Sequence, residues 1–192
     1  MNYRHSFHAG NFADLVKHAL VLWLLERRQA SGPVTVIDTH AGAGLYDLTG
    51  DAARSREAEA GIARLMVTEG RPALIEALAA EVAAMNPDGG VTFYPGSPLL
   101  MAQHLGPRDR YIGFELHPPV LALLDQPLEP FAQAEPRGGD GFDQAVAEAK
   151  RTPGPLVLID PPFEKPDDYH RAADTGAAIV RADARATVAI WT

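Results

Sequence analysis

Asp160, Pro161, Pro162 and Phe163 stand in a row directly after the apolar run Leu156–Ile159. Each proline fixes its own φ and restricts the residue before it, so this corner is stiff and its carbonyls are held outward, away from a sheet ladder. That rigidity matches a particular chemical need. An exocyclic amino nitrogen on adenine is a poor nucleophile because its lone pair is delocalised into the ring. A carboxylate and a neighbouring carbonyl that each accept one N–H bond would draw that nitrogen toward tetrahedral geometry and aim its lone pair at a methyl sulfonium. Asp160 and the Pro161 carbonyl offer the two acceptors, and Phe163 offers a ring to stack on the base. The plainer reading of the same residues is a proline-rich strand exit with an Asp that makes a turn.

Ligands of doubly wound sheets sit outside the carboxyl ends of the strands, so the other strand ends carry the next candidates. Asp38-Thr39-His40-Ala41-Gly42-Ala43-Gly44 follows the run 34–37 and lets backbone approach a ligand at Gly42, although an ordinary strand-to-helix turn has the same composition. The third glycine of a dinucleotide fingerprint is missing, since position 47 is Asp47, and no Gly-Lys-Ser/Thr completes a phosphate-binding loop. Glu115 ends the run 111–114 and can take two ribose hydroxyls of an adenosine moiety, or cap the helix that His117-Pro118-Pro119 opens. Asp140-Gly141 offers an acid for an adenine amino group, or a simple turn. His5, His8 and His18 do not form a zinc-binding pattern, and no metal is expected.

The elements that must position these residues follow from periodicity. Asn11 caps a helix over 12–29 whose apolar face is Phe12, Leu15, Val16, Ala19, Leu22 and Trp23. Two helices are expected over 56–67 and 72–85, then a break at Asn86-Pro87-Asp88-Gly89-Gly90. Residues 91–94 are extended, and a helix opens at Pro95-Gly96-Ser97-Pro98 with Ser97 as cap. Core strands are expected at 34–37, 111–114, 156–159 and 187–191, while Phe131 to Glu135 holds too few β-formers to be assigned. Alternating strands and helices predict an α/β fold with a largely parallel sheet. The chain stops at Trp191-Thr192 inside an expected strand, so either further C-terminal strands are expected beyond it or another element covers that edge.

With 192 residues and 46% hydrophobic content, one domain is expected. A formal charge of −8 argues against coating nucleic acid non-specifically. Contact with nucleic acid must then be local, and residues 1–28 give a small patch in which Arg4, Lys17, Arg27 and Arg28 outnumber Asp14 and Glu26. The absence of cysteine fits a reducing compartment, and the apolar run 19–25 is too short to span a bilayer, so a cytoplasmic location is expected.

Tyr3-Arg4-His5-Ser6-Phe7-His8-Ala9-Gly10-Asn11, with Asp14 and Lys17-His18, Asp38 to Gly44, Tyr94-Pro95-Gly96-Ser97-Pro98, Glu115-Leu116-His117-Pro118 and Asp160-Pro161-Pro162-Phe163, closely resembles the bacterial 23S ribosomal RNA adenine-N6 methyltransferase family. Members of that family have also been labelled as proteins for catabolism of external DNA. The likeness runs from Tyr3 to Trp191. It implies a Rossmann-like, S-adenosylmethionine-dependent methyltransferase fold, one domain over 1–192 with a helical insertion at 51–90. It implies cofactor contacts at His18, His40, Ser97, Glu115, Asp140 and Gly141, a catalytic Asp160, and substrate contact at Tyr3, with Arg4 beside it. The implied partner is 23S ribosomal RNA; no membrane is involved, and a monomer is the working expectation. Phe163 departs from the family's usual Tyr, keeping the ring and losing a hydroxyl. Two rival readings keep the fold: a DNA adenine methyltransferase, and a nucleic-acid-binding protein without catalysis.

Overall fold

The computed structural model describes residues 5–50 and 52–192. The chain opens with α1 (His5–His8) and α2 (Phe12–Gln29), then β1 (Thr35–Asp38) and β2 (Leu45–Asp47). A helical stretch follows: α3 (Ala52–Ser55), a π-helical turn (Glu59–Ala63), α4 (Arg64–Met66) and α5 (Ala73–Met85). After β3 (Phe93–Pro95) come α6 (Ser97–Gln103), β4 (Arg110–Glu115), α7 (Pro118–Leu128), β5 (Ala134–Gly138) and α8 (Gly141–Ala149). The chain closes with β6 (Leu156–Ile159), α9 (Asp167–Ala182) and β7 (Thr187–Ile190).

Five strands form one parallel sheet in the order β5-β4-β1-β6-β7. Helices cover both faces, so the central strands are continuous apolar runs instead of alternating ones. Val36, Tyr111, Leu156 and Leu158 pack with Val21, Leu25, Met101 and Leu124 on one face. Ile37, Ile112, Val157 and Ile159 pack with Phe142, Ala145 and Ile179 on the other. The chain travels outward from β1 through β4 to β5, then returns to β6 on the opposite side of β1. That reversal places a topological switch point at the carboxyl ends of β1 and β6, the position where such sheets bind ligands.

A third cluster joins α2 to the helical stretch. Leu15 and Ala19 meet Ile62, Leu78, Val82 and Tyr94 there. The stretch is bracketed by β2 and β3, which pair antiparallel through Tyr46 and Tyr94. Among the described residues no helix is long and apolar enough to cross a membrane.

Several expectations need correction. Asn11 does cap α2, its side chain accepting from the Asp14 N–H at 2.9 Å. The buried face of α2, however, is Asp14, Leu15, Lys17, His18, Ala19, Val21 and Leu25, while Phe12 is 73% and Trp23 41% exposed. Leu15 and Ala19 lie on the buried face as expected, with Val16 and Leu22 half-buried, but Phe12 and Trp23 do not, and the rest of the face carries charges that find partners inside. The helix expected at 56–67 is broken, with Arg56 at φ +60° and a non-helical Gly61 inside the π-turn. Gly96, not Ser97, caps α6, because the Ser97 hydroxyl turns inward. Residues 134–138 form a strand despite Pro136, which is tolerated because among the described residues β5 pairs on one side alone, with β4. The strand expected at 187–191 is half-buried β7 at the other sheet edge among the described residues.

Candidate active site

Asp160 leaves the end of β6, Pro161 is buried behind it, and Phe163 adopts φ +51°. A left-handed backbone at a bulky residue is strained and persists only where the surroundings demand it. The Asp160 Oδ2 accepts from Lys17 Nζ at 2.8 Å, and the same ammonium lies 3.1 Å from Asp14 Oδ1. Lys17 is only 5% exposed. Burial alone would pull its pKa down, but the two carboxylates outweigh burial and hold it well above the usual lysine value. Lys17 therefore stays charged and fixes one oxygen of Asp160, leaving Oδ1 as the acceptor for an incoming donor.

Asp38, at the end of β1, is fully buried. Its Oδ2 accepts from Ser97 Oγ at 3.0 Å and Tyr111 OH at 3.1 Å, and its Oδ1 accepts from the His40 N–H at 3.2 Å. Burial pushes its carboxyl up to about 6; the donors partly offset this, and the charge of Asp160 adds to it. His40 has Nδ1 2.7 Å from Thr39 Oγ1 and its ring edge on Phe142 at 4.7 Å. Burial pushes the imidazole down to about 4, so it is neutral near pH 7.

Glu115 closes β4. Its Oε2 accepts from the Gly42 N–H at 3.1 Å and its Oε1 from the His117 N–H at 2.8 Å, which ties the glycine turn after β1 to the neighbouring strand. Asp140 caps α8, accepting from the Phe142 N–H at 3.0 Å, and its other oxygen takes Arg171 at 2.9 Å. The Arg171 guanidinium lies 4.4 Å from the Phe142 ring centre. Gly141 permits this arrangement: a Cβ there would overlap the Thr39 carbonyl oxygen, so only glycine lets α8 start against the β1 turn.

His40, Gly42, Ser97, Glu115, Asp140, Gly141 and Asp160 thus gather at one edge of the sheet. His18, the other residue of this set, is 1% exposed, with Nδ1 2.8 Å from Tyr94 OH. Tyr3 and Arg4 lie outside the described residues. Lys17, Asp14 and Arg171 belong to this site without being among the catalytic or cofactor-binding residues expected from the sequence. The one available signal for the first two was a charged pair three residues apart on α2. Nothing local marked Arg171. A depression of about 560 Å³ lies at the opposite end of the sheet, lined by Arg108, Arg110, Gln133 and Glu135, remote from these groups.

A doubly wound parallel sheet with acidic strand ends around a glycine turn, and a rigid Asp-Pro-Pro corner across its switch point, defines a Rossmann-like fold of the methyltransferase type. The family model described as ribosomal RNA large subunit methyltransferase D, RlmJ, matches residues 31–192. The chain belongs to this RlmJ methyltransferase family. It is 37% identical over 197 residues to ribosomal RNA large subunit methyltransferase J of Escherichia coli, an alignment covering all of this chain and 69% of that protein. The Haemophilus influenzae protein of the same name is 34% identical over 196 residues, again with all of this chain and 69% of the relative covered. A crystal structure of a Legionella pneumophila protein superposes with a TM-score of 0.80 at 26% identity, covering 95% of this chain and 68% of that one.

Proposed function

We propose that this protein transfers a methyl group from S-adenosylmethionine to N6 of an adenine in 23S ribosomal RNA. The observation that carries the reading is the Lys17–Asp160 ion pair at the Asp-Pro-Pro-Phe corner, which fixes one carboxylate oxygen and presents the other. The names of the Escherichia coli and Haemophilus influenzae relatives support ribosomal RNA as substrate.

The side chains fit the cofactor by their donor and acceptor chemistry. Each Glu115 oxygen accepts one backbone N–H, so each retains capacity for a ribose hydroxyl. Asp38, Glu115, Asp140 and Asp160 outnumber Lys17 and Arg171 around neutral His40, an environment that favours a cation. Glu115, Asp140, Gly141, Gly42, His40 and Ser97 would hold the cofactor, which supplies an electrophilic methyl on a sulfonium. Asp160 accepts one hydrogen of the adenine amino group, the Pro161 carbonyl accepts the other, and Phe163 stacks on the base. As the new carbon–nitrogen bond formed, the methyl carbon–sulfur bond would break to leave a neutral thioether, and the nitrogen would lose one proton, which the Asp160 carboxylate would receive. The base must leave its stack to reach this corner, which favours RNA that is not fully duplex. Tyr3 and Arg4 are assigned to substrate contact, residues 51–90 to an insertion within a single domain, and the protein to the cytoplasm.

Tritiated-methyl incorporation into protein-free 23S ribosomal RNA tests the reading. Wild type should label RNA and not duplex DNA, and Asp160→Asn should lower kcat by about 100-fold or more while S-adenosylhomocysteine affinity stays within about twofold. Equal incorporation by the two proteins would remove Asp160 from the mechanism.

A further inference from the structure

The π-turn between α3 and α4 sits against the segment that leads into α2, through a contact between two glycines. Gly61, at φ −93° and ψ −106°, faces Gly10 so closely that a Cβ on Gly61 would overlap the Gly10 carbonyl oxygen. Gly10 itself stands at φ +78°, and a Cβ there would lie 2.9 Å from Ile62 Cγ2. Only glycine at both positions permits this backbone approach. Its product is a hydrogen bond from the Ile62 N–H to the Gly10 carbonyl at 2.9 Å. Beside it, Glu57 accepts from Asn11 Nδ2 at 3.1 Å and lies 2.9 Å from His8 Nδ1.

The contact does not end at Gly10. The Gly10 N–H donates to Asp14 Oδ2 at 3.0 Å, Asp14 Oδ1 faces Lys17 Nζ at 3.1 Å, and Lys17 reaches Asp160 at 2.8 Å. An unbroken series of polar contacts therefore links the π-turn to the carboxylate at the end of β6. Gly61 breaks the helical path with a non-helical φ and ψ, so the chain kinks where it meets Gly10. Packing alone does not explain this kink, because Ile62 could enter the core from an ordinary helix, whereas the bond to Gly10 requires the distorted turn.

We infer that Glu57, Gly61 and Ile62 are positioning residues for methyl transfer: the π-turn mounts the start of α2 so that Asp14 and Lys17 meet Asp160 in register. The inference rests on the reading of Asp160 as the catalytic carboxylate. It assigns the helical stretch a part in the chemistry that does not require it to touch RNA.

The test uses Gly61→Ala in the full chain with three readouts: kcat for methyl transfer to ribosomal RNA, S-adenosylhomocysteine affinity by calorimetry, and hydrogen exchange of the Lys17 ammonium by 1H–15N NMR. The expected result is a kcat lowered about tenfold or more, affinity within about twofold of wild type, and faster exchange at Lys17. Unchanged kcat, an unchanged Lys17 signal, or an affinity loss that matches the kcat loss would each overturn the mount. If Gly61→Ala does not fold, Glu57→Gln takes its place, with the same pattern expected at about threefold in kcat and the same results overturning it. A wild type that labels no RNA, combined with faster Lys17 exchange in the variant, would sink the proposed reaction and leave the mount standing.

Discussion

Lys17 on α2 and Asp160 at the end of β6 are 143 residues apart in sequence and 2.8 Å apart in space. A buried cation held between two carboxylates makes the geometry of this corner depend on charge as well as on proline stiffness. Removing one partner of such a pair leaves uncompensated buried charge, which typically costs about 3–5 kcal/mol. Lys17→Met should therefore lower the urea unfolding free energy at pH 7 on that scale and reduce kcat by about 100-fold. A variant with wild-type stability and rate would show that the ion pair is incidental.

Asp38 and His40 oppose each other in pH dependence. Asp38 is raised from 3.8 to about 6, so its contribution to stability is fully present below 3.8 and lost as pH rises through about 6. His40 is lowered from 6.5 to about 4, so its contribution is present above 6.5 and lost as pH falls through about 4. In His40→Gln the second loss disappears. The variant should gain on wild type as pH falls from 6.5 toward 4, by on the order of 2 kcal/mol in urea titrations. NMR of the wild-type imidazole should show no protonation near 6.5; a transition there contradicts the assignment.

Arg171 holds Asp140 at 2.9 Å and covers the Phe142 ring. Both partners are a third exposed, so the pair contributes little to folding. Arg171→Met should weaken S-adenosylhomocysteine binding by roughly 3- to 10-fold, with only a small change in unfolding midpoint. Calorimetry giving unaltered affinity would separate Asp140 from the cofactor.

Phe163 packs against Tyr169 with ring centres 4.2 Å apart and ring planes tilted by 32°, and Tyr169 is 56% exposed. Loss of a stacked base is worth about 1–3 kcal/mol, so Phe163→Ala should raise the RNA Kd by at least about fivefold in filter binding. Phe163→Tyr preserves the ring and should leave the Kd within about twofold. An RNA affinity indifferent to Phe163→Ala would place the base elsewhere.

Motifs made of consecutive residues were legible in the chain alone. Asp38 to Gly44, Glu115, Asp140-Gly141 and Asp160 to Phe163 all fall at strand ends, and the parallel sheet brings those ends together. The run 156–159 and its neighbours read correctly as buried strands because burial on both faces demands unbroken apolar sequence. Edge strand β5 was illegible, since pairing on one side suffices to hold Ala134–Gly138 and leaves little demand on composition. The broken helix at 56–67 escaped for a different reason: Gly61 departs from helical geometry in order to meet Gly10, a contact that no local propensity encodes.

The sequence by itself determined the layered α/β architecture and the stiff acidic corner, because strand burial, glycine turns and proline dihedrals act over a few neighbouring residues. Only the tertiary structure decided that Asp14 and Lys17 face inward, that Ser97 serves Asp38 instead of capping its own helix, and that Arg171 belongs to Asp140. Charged and hydroxyl side chains become tolerable inside when a partner desolvates with them. That partner comes from another element of the fold, so the chain around each residue carries no sign of it.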